Sequence, residues 1–154
     1  MKAGFSLFAD VDGRNVGNGG TIPPFVITTS QRPDVVVLNA EERKILILEL
    51  TCPFDSNINT AHDFKTAKYV PLMNDLTAAG FAADIFCVEV SVRGQITKAN
   101  RARLKSFLFK STGIRRGTCV DLICKMSKSA LLSSFSIFCA RNEDSWQLDR
   151  GITL

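Results

Sequence analysis

The chain has 154 residues, of which 45% are hydrophobic and 22% are charged, and its formal net charge is +4. This length and apolar content predict one globular domain with a real core, which excludes disorder of the whole chain. No uninterrupted apolar run reaches the roughly twenty residues that span a bilayer, and the first residues lack a signal-peptide pattern. We therefore expect an intracellular protein with no membrane partner.

Two apolar runs predict adjacent buried strands, after an N-terminal strand or irregular segment. The first run covers Asp34–Leu38 and the second covers Lys44–Thr51. The polar residues between them predict a hairpin turn, so the two strands are antiparallel. Asp34, at the start of one strand, and Glu49, near the end of the next, can then meet at one edge of the sheet.

Carboxylates on strands this apolar need a partner, a proton or a metal ion. Two carboxylates that lie close together also repel each other unless a cation lies between them. Hard oxygen ligands without Cys or His nearby favour Mg²⁺ or Mn²⁺ over zinc. The alternative is that Asp34 is a turn residue after Pro33 and that Glu49 is a surface residue.

The next segment predicts a helix from Ile58 to about Ala79, which Pro71 kinks or restarts. One stripe of this helix, at steps of three and four residues, is apolar except for Lys65 and Lys68. A lysine on a core-facing stripe needs a negative partner, or a side chain that extends along the apolar surface until its ammonium reaches water. The two carboxylates of the strands are the partner that we expect.

A further strand over Asp84–Val92 and two helices complete the predicted elements. Thr97 is suited to cap the first of these helices, and the second covers the apolar segment from Thr118 to Ala140. We expect this last helix to pack on the sheet or against a second copy of the chain. Seven basic residues and no acid lie between positions 98 and 116: Lys98, Arg101, Arg103, Lys105, Lys110, Arg115 and Arg116.

The order of these elements predicts an α/β fold, with a three- to four-stranded mixed sheet flanked by helices. We assign residues 1–154 to a single domain, with a core at about 25–95 and a basic and apolar helical part at 96–142. The cysteines are scattered and lack metal-ligand spacing, which disfavours zinc and a disulfide framework. None of them has a recognisable nucleophile context, which disfavours a catalytic pair with His62, the only histidine.

Five elements in order resemble the PD-(D/E)xK nuclease superfamily over roughly Pro33–Gly94. They are Arg32-Pro33-Asp34, then Glu49-Leu50-Thr51 after a fourteen-residue gap, the segment Ala61–Tyr69, the strand segment Val88–Val92 and the pair Arg93-Gly94. More narrowly, they resemble the restriction-like endonuclease domain of site-specific non-LTR retrotransposons. That group carries its catalytic lysine on the following helix, whereas the general pattern would place it at Thr51.

The resemblance implies a restriction-endonuclease-like core and hydrolysis of DNA phosphodiester bonds with Mg²⁺, for which Mn²⁺ would substitute. It implies that Asp34 and Glu49 are catalytic residues and that they hold the metal together with the backbone carbonyl of Leu50. The catalytic lysine would be Lys65, which positions the attacking water or stabilises developing negative charge.

The remaining implied residues lie around this centre. Lys68 and Tyr69 belong to the same helix motif as Lys65 and would support catalysis. Many members of the superfamily have a further acid near the N-terminus, for which Asp10 and Asp12 are weak candidates here.

The basic residues that begin beside the predicted site are suited to contact phosphates. We assign this role to Arg93, Lys98, Arg101, Arg103 and Lys105. DNA is thus the expected partner and the nucleus the expected location, and the retrotransposon group adds a reverse transcriptase or other specificity partner. Two alternatives stay open: a binding module with a nuclease fold and no turnover, and a DNA-junction resolvase that works as a homodimer.

Overall fold

The computed structural model describes residues 4–11, 13–17, 19–114 and 116–141, and this part of the chain forms one mixed sheet with helices on both faces. The predicted α/β fold is therefore confirmed. A short 3₁₀ turn at Asp55–Asn57 precedes the first helix. In chain order the elements are β1 (Ser6–Ala9), β2 (Val35–Asn39), β3 (Lys44–Thr51), α1 (Ile58–Lys68), α2 (Val70–Ala78), β4 (Ala82–Glu89), α3 (Lys98–Thr112) and α4 (Arg116–Ala140).

The four strands lie in the order β1-β2-β3-β4. β1 pairs with β2 and β2 pairs with β3 in antiparallel fashion, whereas β3 and β4 are parallel. A parallel pair needs a long crossover, and α1 and α2 supply it. Because β2 runs against β3 and β4, its first residue lies at the same end of the sheet as the last residues of the other two strands.

Side chains of β3 alternate between two buried clusters, which is why the strand is apolar throughout. Leu46 and Leu48 point to the face that α3 and α4 cover, where they pack with Leu104 and Phe107. The opposite face packs under α1 and α2, with a core of Ile45, Ile47, Tyr69, Leu72 and Leu76. Residues of odd number in β3 and β4 therefore face α1.

Two predicted strands have other bounds in the structure. β2 covers Val35–Asn39, so Asp34 precedes the strand instead of opening it, and β4 begins at Ala82 and not at Asp84. β4 ends at Glu89 and not at Val92, because the following backbone turns away and pairs with other segments: the N–H of Ser91 donates to the carbonyl of Gln95 at 2.9 Å. The restart of the helix near Pro71 is confirmed, since Pro71 lies in the first turn of α2.

The helix α4 is partly packed and partly exposed. Cys119 and Ile123 are buried against the sheet, whereas Leu132, Phe135 and Phe138 are more than half exposed. Within residues 117–140, an 18-residue window has a mean hydropathy of 1.3 and is only 6% buried, so by length and composition this helix could cross a membrane. The expected absence of a membrane partner stays a prediction.

Gly94, in the loop after β4, contacts α4. Its φ is +76°, a conformation that favours glycine, and an added Cβ would overlap the backbone carbonyl oxygen of Ser127. The hydroxyl of Ser127 also donates to the carbonyl of Gly94 at 2.5 Å. The end of the sheet and the middle of α4 therefore lie in direct backbone contact.

We expect Gly94→Ala to lower the free energy of unfolding by about 2–4 kcal/mol, because the new side chain adds overlap to backbone strain. Gly13→Ala is the matched control, since Gly13 has φ +75° but nothing within 4 Å of its added Cβ. It should cost only about 1 kcal/mol. Chemical denaturation measures both values, and equal losses in the two variants would contradict the contact with α4.

Candidate active site

The antiparallel pairing of β2 and β3 brings Asp34 and Glu49 together, as the sequence predicts. Val35 lies opposite Leu48 in the register, which places the two acids at the next pair of positions. The backbone N–H of Asp34 donates to Glu49 Oε2 at 3.3 Å, and the N–H of Leu50 donates to Asp34 Oδ2 at 2.6 Å. Each carboxylate is thus held by the backbone beside the other.

Glu49 is 3% exposed, and two side chains from the helical layer donate hydrogen bonds to its carboxylate. Lys65 Nζ donates to Oε1 at 2.6 Å, and Tyr69 OH donates to Oε2 at 2.8 Å. The predicted negative partner of Lys65 is therefore present. Lys68 instead has an exposed side chain, whose ammonium lies 3.2 Å from Tyr69 OH and 4.7 Å from the centre of its ring.

Tyr69 has a larger structural role than the sequence indicates. Its side chain is fully buried, and its hydroxyl lies between Glu49 Oε2 and the carbonyl of Arg32, 3.3 Å away. Burial first, and then the neighbouring Glu49 carboxylate, raise the pKa of Tyr69 far above its usual range. The phenol therefore stays protonated and acts as a hydrogen-bond donor.

The carboxyl group of Asp34 is half-buried beside other acids, and its pKa is raised. Burial is the largest cause, and the negative charge of Glu49 acts in the same direction. The hydrogen bond from Leu50 N–H and the positive charge of Lys65 oppose this rise but do not cancel it. A carboxyl group in such surroundings gains from a cation.

Asp10 also lies beside this pair. Its backbone N–H donates to the carbonyl of Asp34 at 3.0 Å, and its negative charge contributes to the raised pKa of Asp34. The antiparallel pairing of β1 with β2 brings it there, although its sequence context is only a loop after a short strand. Asp12, the other candidate for a further acid, lies outside the described residues.

The donor set is suited to Mg²⁺. Among the described residues no group of three or more Asp, Glu, His or Cys side chains could hold a metal ion, so the protein ligands would be two carboxylates and one carbonyl. Mg²⁺ commonly binds through one or two carboxylates, with water and substrate phosphate completing its shell. Asp34, Glu49 and the Leu50 carbonyl meet that requirement, and Asp34 Oδ1 has no hydrogen-bond partner among the described residues.

A second contact between α1 and a buried carboxylate lies one helical turn from Lys65, and the sequence interpretation missed it. His62 Nδ1 is 3.1 Å from Glu89 Oε1, and Glu89 is only 1% exposed. Glu89 lies at the end of β4 on the α1 face, next to Thr51 in the parallel register. An acid at the end of a buried strand was the available signal, as it was for Glu49.

The basic residues predicted to contact DNA differ in their surroundings. Lys98, Arg101 and Lys105 are exposed on α3, at spacings that place them on one side of the helix. The guanidinium of Arg103 donates to Asn100 Oδ1 at 2.6 Å. Arg93 forms an ion pair with Asp55, whose pKa is lowered by its hydrogen bond with Ser91 and by Arg93.

Thr97 caps α3, as predicted, since its hydroxyl accepts from the N–H of Asn100 at 3.2 Å. Arg115 lies outside the described residues. The predicted catalytic and metal-binding residues thus converge on one end of the sheet, whereas the basic residues of α3 lie on a neighbouring element.

Comparison of this chain with family models, with curated proteins and with solved structures finds no match. The resemblance to the nuclease superfamily therefore stays a prediction.

Tyr69→Phe tests the hydrogen bond between the phenol and Glu49. We expect it to lower the free energy of unfolding by about 1–3 kcal/mol, because a buried carboxylate oxygen loses a donor while the ring packing is kept. In a double-mutant cycle with Glu49→Gln, Tyr69→Phe should cost less stability in the Glu49→Gln background than in the wild type. The difference isolates the interaction between the two side chains. Strictly additive losses in urea denaturation would contradict it.

Asp34→Asn tests the raised pKa. The unfolded chain loses the Asp34 proton at lower pH than the folded chain does, so this group lowers the free energy of unfolding as pH rises through its titration. We therefore expect the variant to be more stable than the wild type at pH 7 in EDTA. The difference in unfolding free energy between the variant and the wild type should narrow toward about pH 4, near the usual pKa of an aspartate.

Thermal unfolding with and without Mg²⁺ measures this stability difference and the effect of the cation on it. Mg²⁺ should stabilise the wild type but not Asp34→Asn, because only the carboxylate binds it well. The exposed Asp63→Asn on α1 is the control and should behave as the wild type. A variant less stable than the wild type at pH 7 in EDTA would contradict the prediction.

Proposed function

We propose that this protein is a metal-dependent endonuclease that hydrolyses phosphodiester bonds in DNA, with Mg²⁺ as its cofactor and with a retroelement origin. The observation that carries the proposal is the convergence of Asp34, Glu49 and Lys65 at one end of the sheet, with Lys65 Nζ 2.6 Å from Glu49 Oε1. Their sequence spacing resembles the nuclease pattern, and their contacts in the fold support the proposal.

The acidic residues of the site would hold the cation. When bound by Asp34, Glu49 and the Leu50 carbonyl, Mg²⁺ would supply a Lewis acid that activates water and neutralises charge on the phosphate. Tyr69 and the backbone N–H groups hold the two carboxylates in place before substrate binds. Such preorganisation supports catalysis because the polar groups need not reorient during the reaction.

Lys65 would act on the phosphate or on the attacking water. Its side chain is 23% exposed, so part of it meets solvent while the ammonium contacts Glu49. A cation in this position can stabilise the negative charge that develops on a phosphate oxygen. Since α1 supplies the lysine, Thr51 on the strand needs no catalytic role.

The exposed side of α3 would contact the DNA backbone. Lys98, Arg101 and Lys105 give it three positive charges, and its first turn contains no acid. Contacts of this kind carry affinity more than sequence specificity, and they weaken as salt rises. A separate specificity partner, such as a reverse transcriptase, agrees with this division of roles.

One observation favours a second function, that of a nucleic-acid-binding module without turnover. Both oxygens of Glu49 already accept hydrogen bonds, from Lys65 and Tyr69, and this arrangement holds the carboxylate without a metal. In such a protein the cluster would serve stability alone. Cleavage separates this function from the first.

The test is cleavage of supercoiled plasmid and of a branched oligonucleotide with Mg²⁺, Mn²⁺ or EDTA. We expect metal-dependent cutting that Glu49→Ala and Lys65→Ala each reduce at least about a hundredfold, because each removes charge that acts on the transition state. Two exposed positions give matched controls, Glu41→Ala and Lys125→Ala, which should cut as the wild type does.

Three outcomes separate the functions. Loss of cutting in both site variants supports the nuclease and its two roles. Binding of DNA without cutting by the wild type, with either metal, supports the binding module instead. Preference for the branched substrate, together with a dimer in solution, supports a junction resolvase.

A further inference from the structure

The helix α1 places two cationic or titratable side chains over two buried carboxylates. Lys65 pairs with Glu49 on β3, and His62, three residues earlier, pairs with Glu89 on β4. Residues three apart on a helix are surface neighbours, with Cβ atoms about 5–6 Å apart. The His62–Glu89 pair is therefore a direct neighbour of the proposed catalytic site, although that site makes no use of it.

Glu89 lies on the same face of the sheet as Glu49. Its register partner on β3 is Thr51, two residues beyond Glu49, and consecutive odd-numbered residues share a face. Strand geometry places the Cα atoms of the two glutamates about 8 Å apart. His62 and Lys65, which contact these two glutamates, therefore approach this end of the sheet at neighbouring positions.

Glu89 has few polar partners for so buried an acid. Its side chain is 1% exposed, and Oε2 has no hydrogen-bond partner among the described residues. The neighbouring Thr51 Oγ1 is also buried and without a partner in that part of the chain. His62 thus supplies the one described hydrogen bond to a carboxylate that is costly to bury.

This contact determines how the imidazole can act. When Nδ1 donates to Glu89 Oε1, the other ring nitrogen, Nε2, is left for a second role, and in the doubly protonated ring it carries a proton that it can donate. The His62 side chain is 24% exposed, nearly the same as Lys65 at 23%. The two side chains therefore reach solvent to the same extent from one side of α1.

We propose that His62 is the general acid of the cleavage reaction and that Glu89 is its positioning residue. This inference depends on the proposed nuclease function. In the reaction, the oxygen of water bonds to phosphorus and gives its proton to solvent. The bond from phosphorus to the leaving oxygen breaks, its electron pair stays on that oxygen, and His62 Nε2 donates a proton there. The neutral imidazole then regains a proton from solvent.

The test replaces the leaving oxygen with sulfur. The cut position is mapped with a natural duplex, and the bridging oxygen that the wild-type products carry as a free hydroxyl is then changed to sulfur. A thiolate is a good leaving group and needs no proton. Single-turnover cleavage is measured with Mn²⁺ on both duplexes for the wild type, Glu49→Ala, His62→Gln, Glu89→Gln and the exposed control Asp63→Gln.

General acids contribute about a hundredfold or more to rate, so we expect His62→Gln to lose about that much on the oxygen substrate. On the sulfur substrate it should cut within about threefold of the wild type, because no proton is needed there. Glu89→Gln should follow the same pattern, since it leaves the imidazole without its carboxylate. Asp63→Gln should resemble the wild type on both.

Two results would overturn the inference while the nuclease stands. One is an unchanged rate of His62→Gln on the oxygen substrate. The other is an equal loss on both substrates with a lower unfolding temperature, which would mean that the pair only fastens α1 to β4. Absence of cleavage by the wild type would overturn the proposed function and this inference with it.

Discussion

The fold and the candidate site both depend on the burial of Glu49. This carboxylate is 3% exposed at the end of an otherwise apolar strand. Burying an unpaired charge there would destabilise the folded state by roughly several kcal/mol. Lys65 and Tyr69 offset this cost from α1 and from the junction between α1 and α2. The helical layer is therefore held against the sheet by polar contacts as well as by apolar packing.

One of these contacts lies at the helix break beside Pro71. α1 ends at Lys68 and α2 begins at Val70, so Tyr69 lies at the junction and points its ring into the core. Its hydroxyl also reaches the carbonyl of Arg32, in the segment that leads to β2. One buried phenol thus links the loop before Asp34, the strand of Glu49 and the helix of Lys65.

The site consists of acids from three neighbouring strands at one end of the sheet. Asp34 precedes β2, Glu49 lies near the end of β3, and Glu89 ends β4. α1 covers this row with Lys65 over one acid and His62 over another. Strand pairing positions the acids and one helix positions the basic side chains. Such placement would suit the proposed hydrolysis of a phosphodiester.

Sequence pattern by itself determined the α/β class, the hairpin of β2 and β3, the helix restart at Pro71 and the pairing of Lys65 with an acid. These follow from local periodicity and from the cost of a charge on an apolar surface. Tertiary structure alone decided three contacts: the hydrogen bond of Tyr69 with Glu49, the ion pair of Arg93 with Asp55 and the contact of His62 with Glu89. The partners in these contacts lie 20, 38 and 27 residues apart, and no local pattern specifies such pairings because they depend on how the helices and connecting segments pack on the sheet.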